Sequence, residues 1–410
     1  MSLSPGWMHT TGAFNQGTPT GWMEGEDGVD TTAKPIGVCH VTSAHPRHDA
    51  RIFHKQCRSL AKAGYDVTLV VHDPFPDAQL DGVRILSTGR SSRNRYARMA
   101  ASRRWVLDKA LSVDAAIYHL HDPELLPLIR ILKSRGKTVI FDSHEDYLST
   151  MGVKRWIPRF LRPLVQWGYA AYERRALSHV DAAVVCYPWT EARFQQMVPL
   201  VRMILNFPLL EPRFMDVKPD FTAKAVAFAG GISRQWHHAN ILRALTQVGD
   251  VTYELAGRLV GSYGQELQAM DGWTHVHHHG MLPLADVYTQ VYGQSMAGLA
   301  LLDYIPQCKG TVGNLSNTKF FEYMAVGLPL ICTDFDMWKA VVEAEACGIC
   351  VNPQDVDAIA AAIVWIRDHP QAAQAMGERG RQAVQIRYHW GIEEAKLLDM
   401  YRMLSGREGS

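Results

Sequence analysis

Imidazoles and carboxylates recur in this chain at short spacings, each time just after an apolar run. Thr42, Ser43 and His45 follow the first run, and His72 and Asp73 the second. His119, His121 and Asp122 follow a third, and Asp142, His144, Glu145 and Asp146 a fourth. Side chains of these types can hold polar substrates and move protons. His119 and His121 stand two apart, so on an extended segment both rings project to one side. Asp122 precedes Pro123, a pairing that also starts helices, so capping and function are both open for this carboxylate. Capping does not account for His121, which is expected to act at a site.

The second half of the chain carries a different chemistry. Gly230-Gly231-Ile232-Ser233 lies between an apolar run and a helical pattern, where backbone N–H groups and a helix dipole can face a phosphate. Arg234 adjoins this turn, and Arg258 follows the next apolar run and Gly257. In Asn317-Thr318-Lys319-Phe320-Phe321-Glu322, Lys319 and Glu322 share one helix face. A local ion pair would satisfy both. Yet a lysine in a first helical turn opposes the dipole unless an anion offsets it, so a diphosphate at Lys319 with ribose hydroxyls at Glu322 suits both groups.

Such groups converge only if the intervening segments are strands and crossover helices. From Lys34, short apolar runs alternate with helical periodicity: strands are expected at Ile36–Thr42, Tyr65–His72, Val83–Leu86, Ala115–His119, Thr138–Asp142, Asp181–Cys186 and Val201–Leu205. Helices are expected over about Asp49–Ala63, Tyr96–Leu111 and Trp156–Ser178, the last unbroken or split in two. Proline-rich residues 206–220 read as a linker. The pattern restarts with strands at Ala225–Ala229, Thr252–Ala256, Thr274–His278, Ala297–Leu302 and Pro329–Thr333. Helices are expected from Gln235 to Val248, from Thr318 to Val326, and over most of the chain beyond Asp355. Two rounds of this alternation give an α/β protein of two Rossmann-like, doubly wound parallel-sheet domains. Right-handed crossovers then deliver the polar groups to the strands' C-terminal rims, facing across a cleft. The expected division is a disordered leader or tag over 1–33, domains over 34–205 and 221–385, and a C-terminal helix over 386–410 that crosses back to the first domain.

Bulk properties restrict the partners. A length of 410 residues calls for more than one core, and a formal net charge of +1 gives no global field for nucleic acid. No apolar run reaches the roughly 18–20 residues of a membrane span, and no secretory signal opens the chain. Seven scattered cysteines fit a reducing cytoplasm better than a disulfide framework. The pair Cys347 and Cys350 has zinc-like spacing without a second pair, and His275, His277, His278 and His279 have no partnering acids nearby in sequence, so no metal site is expected. Arg84, Arg90, Arg93, Arg95, Arg98, Arg103 and Arg104 follow one another without an intervening acid. Lys154, Arg155, Arg159 and Arg162 interleave with Trp156, Phe160 and Trp167. These stretches read equally as solvated helix faces or as contacts with an anionic membrane or a lipid-diphosphate acceptor.

Phe320–Ile331 (FFEYMAVGLPLI) resembles the nucleotide site of retaining GT-B glycosyltransferases, in particular family 4. His45–Val67, His119–Pro127 and Phe335–Pro353 resemble a bacterial branch associated with polysaccharide and glycolipid assembly. The resemblance implies a hexosyltransferase with a GT-B fold, using a UDP- or GDP-linked sugar as donor and no cofactor or metal. It implies a glycan or lipid-linked acceptor and a cytoplasmic location, with peripheral membrane association where the acceptor is lipid-linked. The donor would bind Gly230, Gly231, Arg234, Arg258, Asn314, Asn317, Thr318, Lys319 and Glu322. Glu322 matches the second acid of the family's E-x7-E pattern, and Asn314 stands where the first acid is usual. Ile232 and His237 stand where the family usually has arginine and lysine. On the acceptor side the resemblance points to His45, Arg47, His119, His144 and Glu145, and to His121 and Asp122 as catalytic. A nucleotide-sugar epimerase on the same fold and a non-catalytic nucleotide-sugar-binding subunit are the alternatives.

Overall fold

The computed structural model describes residues 34–90, 103–153, 157–406. The leader over 1–33, the arginines at 93, 95 and 98 and the cluster Lys154, Arg155 and Trp156 lie outside these residues. The described residues from Ile36 onward form one compact unit built on two sheets.

The first sheet has eight strands in the order β3-β4-β2-β1-β5-β6-β7-β8. They are β1 (Gly37–Val41), β2 (Asp66–Val71), β3 (Ala78–Leu80), β4 (Val83–Ser87), β5 (Ile117–Leu120), β6 (Thr138–Ser143), β7 (Ala182–Val185) and β8 (Leu200–Met203). All pair in parallel except β3, which lies antiparallel on β4. The second sheet is wholly parallel, in the order β11-β10-β9-β12-β13-β14. Its strands are β9 (Ala225–Ala229), β10 (Thr252–Ala256), β11 (Val276–Gly280), β12 (Ala297–Ala300), β13 (Leu330–Thr333) and β14 (Gly348–Val351). Strands such as β5, β7 and β9 are buried on both faces because helices cover each side, which is why they read as unbroken apolar runs.

Apolar clusters fill both faces of both sheets. The last helix, Trp390–Leu404, contributes to the first sheet: Trp390, Leu397, Met400 and Tyr401 pack with Val38, Phe53, Val67 and Leu69. Trp390 Nε1 donates to Ser59 Oγ at 2.9 Å.

Three elements differ from the sequence reading. The helix expected over Asp49–Ala63 begins at Ile52 with a wide π-turn, Ile52–Cys57, because the Asp49 carboxylate accepts the Arg51 and Ile52 amides and ends the loop there. Residues 206–220 are no loose tether: Phe207 packs on Phe321, and Phe214, in the short helix Pro212–Met215, stacks on Tyr288 with ring centroids 4.2 Å apart. The helix expected directly after the Gly230-Gly231 turn starts later, at His238, since a 3-10 turn (Arg234–Trp236) and left-handed His237 intervene.

Candidate functional site

In each sheet the strand order turns at the first strand: β1 lies between β2 and β5, and β9 between β10 and β12. Helices depart to opposite sides there and leave a crevice beyond the strand ends. Both groups of candidate residues cluster at these two points.

At the first crevice the strand register pairs His40 of β1 with His119 of β5. His119 and His121 stack with ring centroids 4.6 Å apart, as their spacing anticipates. All three imidazoles are fully buried. His40 Nδ1 lies 2.9 Å from His121 Nε2, and His119 Nδ1 lies 2.9 Å from the Tyr401 hydroxyl. Burial pushes the His121 imidazole down to about 3 and holds His40 and His119 well below the usual histidine range. These rings are neutral at pH 7.

Asp142, at the end of β6, anchors the cluster. Its carboxylate accepts both Arg51 Nε and a terminal guanidinium nitrogen at 3.2 Å, and Gln56 Nε2 at 2.7 Å. His144 Nδ1 and His121 Nδ1 approach it at 3.2 and 3.6 Å. Burial opposes its charge, but Arg51 and the neighbouring His144 hold it well below the usual carboxylate range. Arg51 was not among the sequence candidates, and Asp142 was named only as one of the polar groups after β6. Arg51 lies in one of the resembling segments, and Asp142 heads the cluster after β6, but their pairing joins positions 91 residues apart. Lys55 was also missed: its ammonium donates to Asn206 Oδ1 at 2.6 Å, and burial pushes it down to about 7 against the opposing pull of Glu322.

Two expectations are corrected here. Asp122 does not cap the helix at Pro123 with its side chain; Oδ2 instead accepts Thr42 Oγ1 and the amides of Ser43 and Ala44, fastening the loop after β1. His121 does not line the crevice, because its ring is fully buried between His40 and Asp142. The rings at the surface are His45 and His144, whose Nε2 atoms are 3.2 Å apart. Burial opposes charge on His45, but Asp49 and Asp122 raise it above the ordinary histidine value. Arg47 turns away to form a bidentate pair with Asp73, and Glu145 is exposed.

The second crevice is an open cavity of about 500 Å³. Gly230, Gly231, Arg258, Thr318, Lys319 and Glu322 all line it. Gly230 and Gly257 have φ of 138° and 147°, a region that favours glycine. A Cβ at Gly257 would collide with the Gly230 carbonyl, and one at Gly230 would displace the Lys319 amine. The Lys319 ammonium lies 5.4 and 5.0 Å from the ring centres of Phe228 and Trp236, and burial lowers its pKa. Glu322, one turn on, accepts the Tyr292 hydroxyl at 3.3 Å.

Of the two helix starts considered for a phosphate, only the one that carries Lys319 reaches the cavity. The Gly230 amide donates to Ala256, and the next α-helix starts beyond His237. The helix end that reaches the cavity is that of Thr318–Val326, after Asn317. Arg234 is outside the lining; it pairs bidentately with Glu266 and covers Tyr263. Asn314 is buried, its amide directed to Cys308 Sγ and the Ser316 N–H. A smaller cavity of about 230 Å³ joins the two halves: Arg51, His144 and Tyr187 line it from the first, Asn206 from the connecting segment, and Gln307, Asn314 and Asn317 from the second. Ser316 Oγ donates across to the Cys186 carbonyl at 2.8 Å.

The histidine-rich strand β11 also differs from expectation. Glu254 of β10 faces it, and its carboxylate lies 2.9 Å from His277 Nδ1 and 2.6 Å from His279 Nε2.

The family model for a glycosyl transferase 4-like domain matches residues 50–205, and that for a glycosyl transferase-like domain matches residues 234–398. Phosphatidyl-myo-inositol mannosyltransferase of Mycolicibacterium smegmatis is 29% identical over 85 residues, 21% of this chain and only 22% of that protein's length. Sucrose-phosphate synthase from Thermosynechococcus elongatus superposes with a TM-score of 0.70 over 92% of this chain and all of that one, at 17% identity. Anabaena HepE in complex with UDP and glucose superposes with a TM-score of 0.64 over 90% of this chain and 100% of that one, at 12% identity.

Proposed function

Because this chain is a two-domain GT-B glycosyltransferase of the family 4-like type, we propose that it moves a hexose from a nucleoside diphosphate to a hydroxyl of a glycan or lipid-linked acceptor, with retention and without a metal. The observation that carries this reading is the Lys319 ammonium, packed against Gly230 in a cavity that also holds Glu322. A partly buried cation at a helix N-terminus is matched by a dianionic diphosphate, with Arg258 closing from the opposite side. Glu322 then takes the ribose hydroxyls. The complex of HepE with UDP favours uridine over guanosine as the base.

In this reading residues 221–385 hold the donor, residues 34–205 the acceptor, and 386–410 tie the two together. The sugar lies toward the smaller cavity, between Asn314 and Asn317 on one side and His144 on the other. The bond from C1 to the diphosphate oxygen breaks as the acceptor oxygen joins C1 on the same face, and the acceptor proton passes to the departing phosphate oxygen. The chain's part is electrostatic: Lys319 neutralises the leaving charge, and His45 and His144 orient the acceptor. His121 and Asp122 act as positioning groups, the first stacked behind His144 and the second holding the loop that carries His45.

For a lipid-linked acceptor, the exposed Phe160, Leu164 and Trp167 around the helix Arg162–Leu177 offer an apolar patch, with Arg159, Arg162, Arg174 and Arg175 nearby to meet an anionic membrane face. No helix among the described residues is long and apolar enough to cross a membrane.

The test is a thermal-shift comparison of UDP and GDP, followed by transfer assays with and without EDTA and anomeric assignment of the product by NMR. UDP should raise the melting temperature, and Lys319→Ala should remove most of that rise. An inverted product, or transfer abolished by EDTA and restored by a metal, would overturn the corresponding part of the reading.

A further inference from the structure

Four clusters combine histidine with histidine or carboxylate at ligand spacing: His40 with His119 and His121, His45 with Asp122 and His144, His121 with Asp142 and His144, and Glu254 with His277 and His279. The first three belong to the crevice of the first sheet, and each is already committed. The buried triad contains no carboxylate. Asp122 accepts the loop amides after β1, and Asp142 is occupied by Arg51. A cation placed beside Asp142 would face a guanidinium.

The fourth cluster is built differently. His277 and His279 stand two apart on β11, the edge strand of the second sheet, so both rings project from one face. The register puts Glu254 directly beside His277. The two ring centroids are 4.2 Å apart, and His277 Nδ1 and His279 Nε2 both point at one oxygen, Glu254 Oε2, from 2.9 and 2.6 Å. Two imidazoles and a carboxylate within 4.8 Å of one another supply three corners of a tetrahedron. This donor set suits zinc and its first-row neighbours rather than magnesium or calcium, which prefer oxygen alone. Glu254 and His279 are mostly covered, whereas His277 is 64% exposed and leaves the fourth corner open to solvent.

We propose that Glu254, His277 and His279 bind a divalent cation of the zinc class on the outer edge of the second sheet, separate from the transfer chemistry. Each neutral ring shifts its single proton to its other nitrogen, His277 to Nε2 and His279 to Nδ1, and the freed lone pairs of His277 Nδ1 and His279 Nε2 bind the ion together with the Glu254 carboxylate. The ion thereby clips β11 to β10. Gly280, Met281 and Leu282 follow His279 directly, and Met281 and Leu282 line the donor cavity, so the clip sits at the root of that cavity's lip.

The experiment is equilibrium dialysis of the tag-free full chain against Zn2+, with metal content measured for the wild type, His277→Ala, His279→Ala and Glu254→Gln. A Co2+ spectrum reports the geometry. The wild type should retain an equivalent that each variant loses, and Co2+ should give an intense tetrahedral band that disappears with His277→Ala. His277 is a surface residue, so its variant should keep the wild-type circular dichroism. Unchanged zinc content in His277→Ala and His279→Ala overturns the proposal, as does a retained equivalent that is lost only with His45→Ala. Dialysis requires no transfer activity, so its outcome is independent of the donor and acceptor assignments.

Discussion

The two crevices are built on the same topological plan yet hold their charge in opposite ways. In the first, the two buried carboxylates already have partners from the chain itself, Arg51 on Asp142 and Thr42 on Asp122, and His119 Nδ1 lies beside Tyr401, while His119 Nε2 and His121 Nδ1 make no hydrogen bond. In the second, a cation and a carboxylate face an open cavity walled by glycines. The first is a finished scaffold whose polar interior contributes shape. In the proposed reading, a ligand completes the electrostatics of the second. Mutations at the buried groups of the first crevice, as distinct from His45 and His144 at its surface, should therefore act mainly on stability, and those in the second mainly on binding and rate.

The sharpest way to break this comparison is Asp142→Ala. It leaves Arg51 buried without its partner, so about 3–5 kcal/mol of stability should be lost in urea denaturation. A loss below about 1 kcal/mol would show that the cluster is not structural. Next, Lys319→Ala should lower kcat/KM by about 100- to 1,000-fold, the usual effect of removing one group that stabilises a leaving charge. Its melting temperature without ligand should stay the same or rise, because a partly desolvated ammonium is removed.

Acid should separate the two regions further. His40, His119 and His121 are neutral in the fold and bind protons near pH 6.5 once the chain unfolds. The unfolded state takes up the protons, so stability is full above pH 6.5 and falls as pH drops below it. The slope is about 1.4 kcal/mol per pH unit for each imidazole that titrates only on unfolding. Denaturation at pH 7, 6 and 5 should show it, and His121→Phe should make it shallower. The smallest effect is expected at Arg234, whose exposed pair with Glu266 is screened by solvent. Arg234→Ala should leave UDP binding by calorimetry unchanged; a large loss of affinity would restore this residue to the donor site.

Much of this architecture was legible in the sequence, for stated physical reasons. Parallel strands under helices are apolar on both sides, so β1, β5, β7 and β9 stood out as runs. By contrast β3 is three exposed residues paired antiparallel to its neighbour, and β14 begins with glycine, so neither left such a run. Lys319 and Glu322 were found because helical spacing relates them locally. The direction of His121 was not, because alternation along a strand fixes which residues share a face and not which face meets the crevice. Asp142 and Glu254 went unassigned for a further reason: their partners come from other strands and loops, and only sheet register brings them together.

The helix Trp390–Leu404 has a consequence for how the protein is made. Its apolar side and the Tyr401 hydroxyl complete the interior of the first sheet. On a ribosome adding about 5–20 residues per second, that surface stays uncovered for tens of seconds while the whole second domain is synthesised. A chain truncated before Trp390 leaves that apolar surface permanently uncovered and should accumulate in inclusion bodies.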